Sequence, residues 1–463
     1  MSAGPPTSGK PAPRPVSAVS PVSAGQAFWF WLKLGFVSFG GPAGQFALMH
    51  EELVRRRRWI SERRFLHALN YCMVLPGPEA QQLATYIGWL MHRSWGGVMA
   101  GVLFVLPSLL ILIALSAVYV LFGSMPLVAG VLAGIKPAVT VIVVQAAHRI
   151  GSRVLTNRFL WLIAALAFVG MTVLNLPFPL IILAAAAAGM LGGTFAPQHF
   201  HTGAGHNTDS AQHPPAWIDD DTPPPAHARW RVTRLCAVVL VGMALWCAPM
   251  ALVAALQGTQ STLAQMGWFF TKAALLTFGG AYAVLPYVAQ GAVSQFGWLT
   301  TAQMMDGLAL GETTPGPLIM VVAFVGFLGG YGQALGDLAS LPGGALMAGA
   351  VAAAWVTWFT FLPSFIFILA GGPLVESTRG QLKLSAPLTA ITAAVVGVIL
   401  NLAVFFAQHL LWPQGFGARF DVASAGLAVL AGVLLMRLKY SVVQVLGLCA
   451  ACGWVLHTLG WLG

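Results

Sequence analysis

The chain has 463 residues, of which 58% are hydrophobic and only 8% are charged. A soluble globular protein carries about 25% charged residues, so the composition excludes a soluble protein and indicates one whose surface lies in lipid. The formal net charge of +10 does not indicate a nucleic-acid partner, because the basic residues stand in short loops between apolar runs, as in a polytopic membrane protein.

Residues 1–26 are rich in Pro, Ser, Ala and Gly and predict a disordered cytoplasmic tail. A spanning helix needs roughly 20 apolar residues. The chain offers thirteen such segments, near 28–49, 66–91, 96–122, 126–148, 159–175, 177–195, 235–256, 265–290, 303–330, 344–370, 386–410, 421–436 and 441–462. The polar stretch 196–234 predicts a surface linker. Its histidines allow metal binding, but no ligand spacing favours it.

An internal repeat relates the two halves of the chain. FWLKLGFVSFGG at 30–41 matches FFTKAALLTFGG at 269–280, an offset of 239 residues. The same offset places the Pro-Gly-Pro run at 76–78 on that at 315–317. The predicted units are repeat 1 over 28–195, the polar linker over 196–234, a connecting transmembrane helix over 235–256 and repeat 2 over 265–462.

The loop charges indicate how the two repeats are oriented. The loop after the first segment carries six arginines, whereas its equivalent near 291–302 carries no charge. Basic loops remain in the cytoplasm, so one connecting span inverts repeat 2 relative to repeat 1. If 28–49, 66–91, 265–290 and 303–330 turn back at their Gly/Pro breaks, nine spans remain and every net-basic loop is cytoplasmic. If all thirteen cross, only the arginine loop is misplaced.

The predicted fold class is an all-α polytopic membrane protein. It has two inverted six-segment repeats joined by one extra transmembrane helix, with re-entrant or broken helices. The N-terminus lies in the cytoplasm and the C-terminus outside.

Each repeat contains two Gly/Pro breaks, where a half-helix inside the membrane can begin. A proline fits the first turn of such a helix, whose free N–H groups and positive dipole end favour an anion. Inverted repeats place their substrate site near the midplane. The alternative is that the breaks are ordinary helix kinks. The candidate binding residues are Ser38, Phe39, Gly40, Gly41, Pro42, Gln45, Asn70, Pro76, Gly77, Pro78, Gln81, Thr277, Gly279, Gly280, Thr313, Thr314 and Gly316.

Four ionisable residues near the breaks are further candidates. Lys33 and Lys272 occupy equivalent positions and either supply positive charge to an anion or snorkel to the interface. Glu79 and Glu312 either couple transport to protonation or cap a half-helix. The hydroxyl and amide candidates either bind the anion or bond the local backbone.

Sequence patterns typical of enzymes are not found. The chain contains no paired-carboxylate, Ser/His/Asp, HExxH or phosphate-binding pattern, so no catalytic residue, metal ligand or cofactor is predicted. Its five cysteines lie in apolar runs and predict no disulfide framework.

The runs FVSFGGPAGQ at 36–45 and LPGPEAQQLATYIG at 75–88 resemble the chromate ion transporter family. The TFGG run at 277–280 with TPGP at 314–317 resembles the C-terminal half of that family. The resemblance implies a bacterial inner-membrane secondary transporter of the long, two-domain type, which exports chromate and confers chromate resistance. A homodimer is left open as a further partner. The alternatives are a transporter of sulfate or another oxyanion and, more remotely, a membrane-embedded enzyme. Rocking of the repeats around the four breaks would alternate access.

Overall fold

The computed structural model describes residues 21–39, 41–195, 215–220, 222–223, 225–332, 343–377, 385–417 and 419–461. These residues form α-helices with short π and 3-10 turns, and they contain one isolated β-bridge but no strand. Six of the described helices are long and apolar enough to cross a membrane. The prediction of an all-α polytopic membrane protein is therefore confirmed.

Repeat 1 and the connecting helix comprise eight helices. They are α1 (Ala24–Val37), α2 (Gly41–His50, continued by a π turn, Glu51–Arg56), α3 (Glu62–Val74), α4 (Glu79–Phe122), α5 (Pro126–Val154), α6 (Arg158–Thr172), α7 (Phe178–Phe195) and α8 (Val232–Gln257).

Repeat 2 comprises eight more. They are α9 (Thr262–Leu275), α10 (Ala281–Ala289, continued by a π turn, Gln290–Gln295), α11 (Thr301–Thr313), α12 (Val321–Gly332, preceded by a 3-10 turn, Leu318–Met320), α13 (Gly344–Ser377), α14 (Ser385–Leu411), α15 (Val422–Gly432, continued by a π turn, Val433–Arg437) and α16 (Val442–Thr458).

The first helix begins earlier than the composition predicts. Ser23 caps α1 by accepting from the N–H of Gln26, whose side chain bonds back to Ser23, and this capping box starts the helix at Ala24. The predicted disorder is therefore wrong for 24–26, while residues 1–20 lie outside the described residues.

The first hairpin of each repeat turns back at its break. After α2 the chain returns to the side of α1, where the rings of Phe30 and Trp59 lie 4.9 Å apart. Their equivalents in repeat 2, Phe269 and Trp298, lie 5.5 Å apart. If the two helices continued in line, their far ends would be separated by the combined length of both. The chain therefore re-enters at these two segments.

The second hairpins also turn back. In repeat 2, a Cβ on Gly307 of α11 would lie 2.4 Å from the ring of Phe324 on α12, so these helices pack side by side around their break. In repeat 1 the rings of Tyr71 and Tyr86 lie 5.7 Å apart across the equivalent break.

Helix α4 reverses direction between its two arms. His92 and Arg93 have non-helical backbone angles, and Arg93 has a φ of 59°. A Cβ on Gly88 would lie 2.5 Å from the carbonyl oxygen of Gly96, so the inner arm (79–91) and the outer arm (94–122) pack closely. The boundary predicted between 91 and 96 coincides with this turn.

Six of the nine predicted spans correspond to the long apolar helices: the outer arm, α5, α7, α8, α13 and α14. The other three correspond to shorter apolar helices, which are Arg158–Thr172, Val422–Arg437 and Val442–Thr458.

The described part of the polar linker packs against repeat 1 instead of lying free on the surface. We call residues 215–220, 222–223 and 225–228 the strap. Ile218 forms a parallel β-bridge with Ile60 and is only 6% exposed, and Ala228 is 1% exposed. Both belong to the hydrophobic core that the hairpins of repeat 1 form. The interpretation of this segment as a free surface linker is wrong for the strap.

Candidate functional site

The breaks of the two repeats meet through two reciprocal hydrogen bonds. The N–H of Gly77 donates to the carbonyl oxygen of Thr277 at 2.8 Å, and the N–H of Gly316 donates to the carbonyl oxygen of Ser38 at 2.8 Å. Gly316 is the repeat equivalent of Gly77, and Thr277 is that of Ser38. The two repeats are therefore joined at their breaks by two equivalent hydrogen bonds. We call the region around these two bonds the centre.

Only glycine fits at the donor position of each of these two hydrogen bonds. Gly77 has a φ of +126° and Gly316 a φ of +104°, which are left-handed conformations that other residues rarely adopt. A Cβ on Gly77 would lie 2.3 Å from Oγ of Ser364, and one on Gly316 would lie 2.8 Å from Cβ of Ser108. Each glycine thus lies against a serine of a long helix in the opposite repeat, Ser364 of α13 for Gly77 and Ser108 of α4 for Gly316.

The reciprocal bonds change which backbone donors can face an anion. The N–H groups of Gly77 and Gly316 are already bonded to carbonyl oxygens, so they do not cradle a ligand in this conformation. The first-turn amides of the half-helices remain without intrahelical partners, as at every helix start. Gly41 lies at the start of α2, with Pro42 in its first turn, and Pro78 caps α4.

Buried amide side chains surround the centre on the side of repeat 1. Gln45 is 1% exposed and its Nε2 donates to the carbonyl oxygen of Gly316 at 2.6 Å. Gln82 is fully buried and donates to the carbonyl oxygen of Pro76 at 2.7 Å and to Oγ of Ser364 at 3.3 Å.

Two of these amides have an unsatisfied oxygen. Gln81 is fully buried and donates to Oγ1 of Thr85 at 2.9 Å. Oε1 of Gln81 and Oε1 of Gln82 have no hydrogen-bond partner among the described residues. Buried polar atoms without a partner are costly and usually have a functional reason. These amides can also rotate by half a turn and present their N–H groups instead.

The predicted hydroxyl ligands bond their own helices. Ser38 and Thr277 are buried, and each donates at 2.7 Å to the carbonyl oxygen four residues earlier. Thr314 does the same at 2.6 Å, and Thr313 donates at 3.0 Å to the carbonyl oxygen of Leu310. The alternative of local backbone bonding therefore describes these hydroxyls.

Several predicted residues lie away from the centre. The side chains of Lys33, Lys272 and Asn70 are exposed, and Phe39 is 45% exposed. Lys33 precedes the buried Ser38 by five residues, and five residues rotate the helix face by about 140°. In this conformation both lysine side chains are exposed, and their supply of charge to an anion stays a prediction.

Of the remaining predicted backbone positions, two glycines form a break in repeat 2 and one glycine lies outside the described residues. Gly279 and Gly280 have φ values of +76° and +99° and form the break before α10. Gly40 lies outside the described residues.

The two predicted coupling carboxylates lie in different surroundings. Glu79 is 8% exposed and begins the inner arm. Glu312 accepts a hydrogen bond of 2.5 Å from the hydroxyl of Tyr282, in α10 of the same repeat.

Two charge networks between the repeats were not predicted. On α3, Arg64 lies 3.4 Å from Glu376 at the end of α13, and Tyr86 donates to the same carboxylate at 2.7 Å. All three side chains are buried. Arg64 was interpreted only as part of the topological arginine loop, and Glu376 stands in no motif.

The second network joins α11 to repeat 1. Oδ2 of Asp306 accepts from the hydroxyl of Tyr119 at 2.9 Å and lies 3.6 Å from Nζ of Lys136. Asp306 is 2% exposed, and its Oδ1 has no partner among the described residues. Intramembrane charges are a general signal for function, and only this signal could have pointed to Asp306, which the sequence analysis did not single out.

A cavity of about 830 Å³ lies beside the second network. Tyr119 lines it together with Trp298 and Thr300, in the loop before α11, and Gln303, in the first turn of α11. We call this cavity the vestibule of repeat 2.

Two repeats of broken helices that meet at a buried centre, with charge networks between them, define a polytopic membrane protein. The chromate transporter family matches residues 25–190 and 264–454 of the chain. The chain therefore belongs to the chromate transporter family, and the predicted resemblance is confirmed.

Individual relatives agree with this assignment. The chain is 33% identical to a chromate transport protein of Pseudomonas aeruginosa, covering 94% of this chain and 93% of the relative. It is 28% identical to a chromate transport protein of Cupriavidus metallidurans, covering 89% and 88%. A Bacillus subtilis relative, the uncharacterized transporter YwrB, is 28% identical over 34% of this chain but 82% of its own length. No solved structure matches the chain.

Proposed function

We propose that this protein is a secondary transporter that exports chromate across the bacterial inner membrane. Membership of the chromate transporter family supports the substrate, and the reciprocal bonds between Gly77 and Thr277 and between Gly316 and Ser38 carry the mechanism. Two inverted repeats that share one central contact have two equivalent arrangements, in which one face or the other is open.

The anion binds in this proposal at the centre, against the half-helix that begins at Glu79. Gln45, Gln81 and Gln82 supply side-chain N–H groups, and the positive end of the half-helix favours the negative charge. A buried dianion needs such donors because water cannot follow it into the bilayer. Family membership supports the substrate. The unpartnered Oε1 atoms of Gln81 and Gln82 are acceptors, so the placement requires both amides to rotate and present their N–H groups to the anion.

The orientation that we propose follows from charge. The arginine loop after α2 lies in the cytoplasm with the N-terminus, and the C-terminus lies in the periplasm. The vestibule of repeat 2 then opens to the periplasm, because the inverted repeat places its uncharged loop there.

The membrane potential supplies a driving force in the direction of export. A potential that is negative inside expels charge with about 2.3 kcal/mol per elementary charge per 100 mV, so a dianion gains about 4.6 kcal/mol. Glu79 and Glu312 remain proposed coupling carboxylates, and Asp306 is a third, because its free Oδ1 offers a place for a proton next to Lys136.

The decisive experiment measures chromate uptake into inverted membrane vesicles under an imposed potential. We expect uptake to rise with an inside-positive potential and to be competed weakly by sulfate. Absence of chromate flux at any potential would refute the proposal, and stronger competition by sulfate than by chromate itself would assign the chain to sulfate. An imposed pH gradient in the same vesicles separates proton coupling from a response to potential alone.

A further inference from the structure

The two repeats differ at their outer mouths although they match at the centre. In repeat 2 the vestibule is open and is lined by Trp298, Thr300, Gln303, Leu328 and Tyr331. The repeat offset assigns each of these residues an equivalent in repeat 1, and the equivalents are Trp59, Ser61, Arg64, Trp89 and His92.

The strap occupies the equivalent position in repeat 1. The N–H of Ile218 donates to the carbonyl oxygen of Trp59 at 3.1 Å, and the carbonyl oxygen of Ile218 accepts from the N–H of Ser61 at 3.0 Å. Oγ of Ser61 donates to Oδ1 of Asp220 at 2.6 Å. A carboxylate of the strap is thus bound at the mouth of repeat 1.

The remaining equivalents contact the strap as well. Nη2 of Arg64 donates to the carbonyl oxygen of Thr222. Nε2 of His227 contacts the carbonyl oxygen of Trp89 at 2.8 Å. The ring of His92 lies 6.1 Å from that of Trp217 in the strap. The repeat 1 equivalents of these five vestibule residues therefore all contact the strap.

The mouth of repeat 1 has the chemistry of an anion entrance. Ser61 contributes a hydroxyl donor and Arg64 a guanidinium group, next to the run of arginines at 55–58. Serine hydroxyls and arginines are the groups that bind oxyanions through charge-assisted hydrogen bonds. In repeat 2 the equivalents of these two residues are Thr300 and Gln303, so the positive charge is confined to repeat 1.

We infer that the mouth of repeat 1 is an entry site for a tetrahedral oxyanion and that the strap is an acidic plug, with the carboxylate of Asp220 in the position that the anion takes. The inference rests on the proposed function and adds where the substrate enters and what competes with it. Entry of the anion requires the strap to leave Ser61, because the hydroxyl cannot donate to both ligands. The plug therefore lowers the apparent affinity on the arginine side and has no counterpart in the vestibule of repeat 2.

A disulfide tests whether the strap must move. Ile60 and Ile218 are partners in a parallel β-bridge, and neighbouring strands lie about 4.7–4.9 Å apart, which is within the Cα separation that a disulfide spans. In a chain whose native cysteines are replaced by serine, Ile60→Cys with Ile218→Cys is expected to lose at least tenfold in chromate uptake into inverted vesicles on oxidation. Reduction restores the rate. Each single variant serves as the control and should not respond to oxidation.

A second measurement tests the role of the carboxylate. Asp220→Asn is expected to lower the chromate concentration for half-maximal uptake about threefold or more, with the maximal rate unchanged. Asp421→Asn makes the same chemical change at the cap of α15, where the carboxylate accepts from Ser424, and should leave uptake unchanged.

The outcomes separate the inference from the proposed function. Full transport by the oxidised double-cysteine chain, or an unchanged half-maximal concentration in Asp220→Asn, overturns the plug alone. A reduced chain that moves no chromate overturns the proposed function and this inference with it.

Discussion

The two repeats share a backbone plan but differ in the side chains that they bring to the centre. Repeat 1 carries Gln45, Glu79, Gln81, Gln82 and Thr85, all of them buried. The equivalent positions in repeat 2 are Val284, Leu318, Met320, Val321 and Phe324. Both repeats therefore supply the symmetric backbone framework, but at these five positions only repeat 1 supplies polar side chains.

The charge networks at the two faces differ in the same way. The Glu376 carboxylate has partners on both oxygens, from Arg64 and Tyr86, whereas Asp306 leaves Oδ1 without one among the described residues. A satisfied buried network fixes one arrangement, and a partly satisfied one is ready to change. The network next to the strap is therefore the more completely satisfied of the two.

The largest expected effect comes from breaking the satisfied network. Glu376→Gln leaves the buried Arg64 without its counter-ion, and removal of one partner from a buried pair costs about 3–5 kcal/mol. Asp306→Asn should cost less, because Lys136 is 26% exposed and can be hydrated. Thermal unfolding in detergent measures both, and equal shifts would contradict the difference between the faces.

A second prediction tests the symmetry of the centre. Gly77→Ala and Gly316→Ala each force a Cβ into a left-handed conformation, which costs about 1–3 kcal/mol, and each adds a contact shorter than 3.0 Å. We expect both to abolish chromate transport to the same extent. Gly447→Ala, in α16 with nothing within 4 Å, is the control and should transport normally. A mild phenotype for only one of the two would show that the central contacts are not equivalent.

A smaller effect should distinguish polar from apolar side chains at the centre. Gln81→Met gives repeat 1 the residue that repeat 2 has in Met320, with little change in volume. Loss of a hydrogen bond to a charged ligand costs about 1.5–3 kcal/mol, so chromate affinity should fall about tenfold or more. Met320→Leu is the matched change in repeat 2 and should leave affinity intact. Equal losses in the two variants would place the anion between the repeats without preference.

The smallest expected effect is a pH dependence of the strap. Burial lowers the pKa of the docked His227 below its usual value of 6.5, and the nearby Arg234 and Arg93 act in the same direction. The released strap then binds the proton more readily, so docking is complete above about pH 6.5 and weakens as the pH falls below it. Protease cleavage of the linker at pH 5.5 and 7.5 measures this, and His227→Gln should remove the difference. Cleavage that is equally fast at both pH values in the unmodified chain would contradict it.

The order of the hairpins and spans could be predicted because the repeated motifs and the glycine breaks can each be recognised in a short stretch of sequence. The offset of 239 residues and the paired Gly/Pro runs were enough to place the hairpins, and the loop arginines indicated that they turn back. The kink at His92 was visible as a gap between apolar segments.

What could not be predicted depends on helix rotation and on long-range contacts. Lys33 lies near the break in sequence, but the helix turns its side chain away from Ser38. Asp306 and Glu376 form their networks with partners more than a hundred residues away. Residue spacing in the sequence does not predict such long-range pairs. The strap was missed because its buried residues, Ile218 and Ala228, stand in an otherwise polar stretch.

The two hydrogen bonds exchanged at the centre restrict how the halves can move. Sliding one half past the other would lengthen both bonds together, whereas a see-saw rotation about the line that joins them leaves both intact. The two glycine amides thus define a rotation axis. Rotation of the repeats about this axis can open one face and then the other while both hydrogen bonds at the centre stay formed.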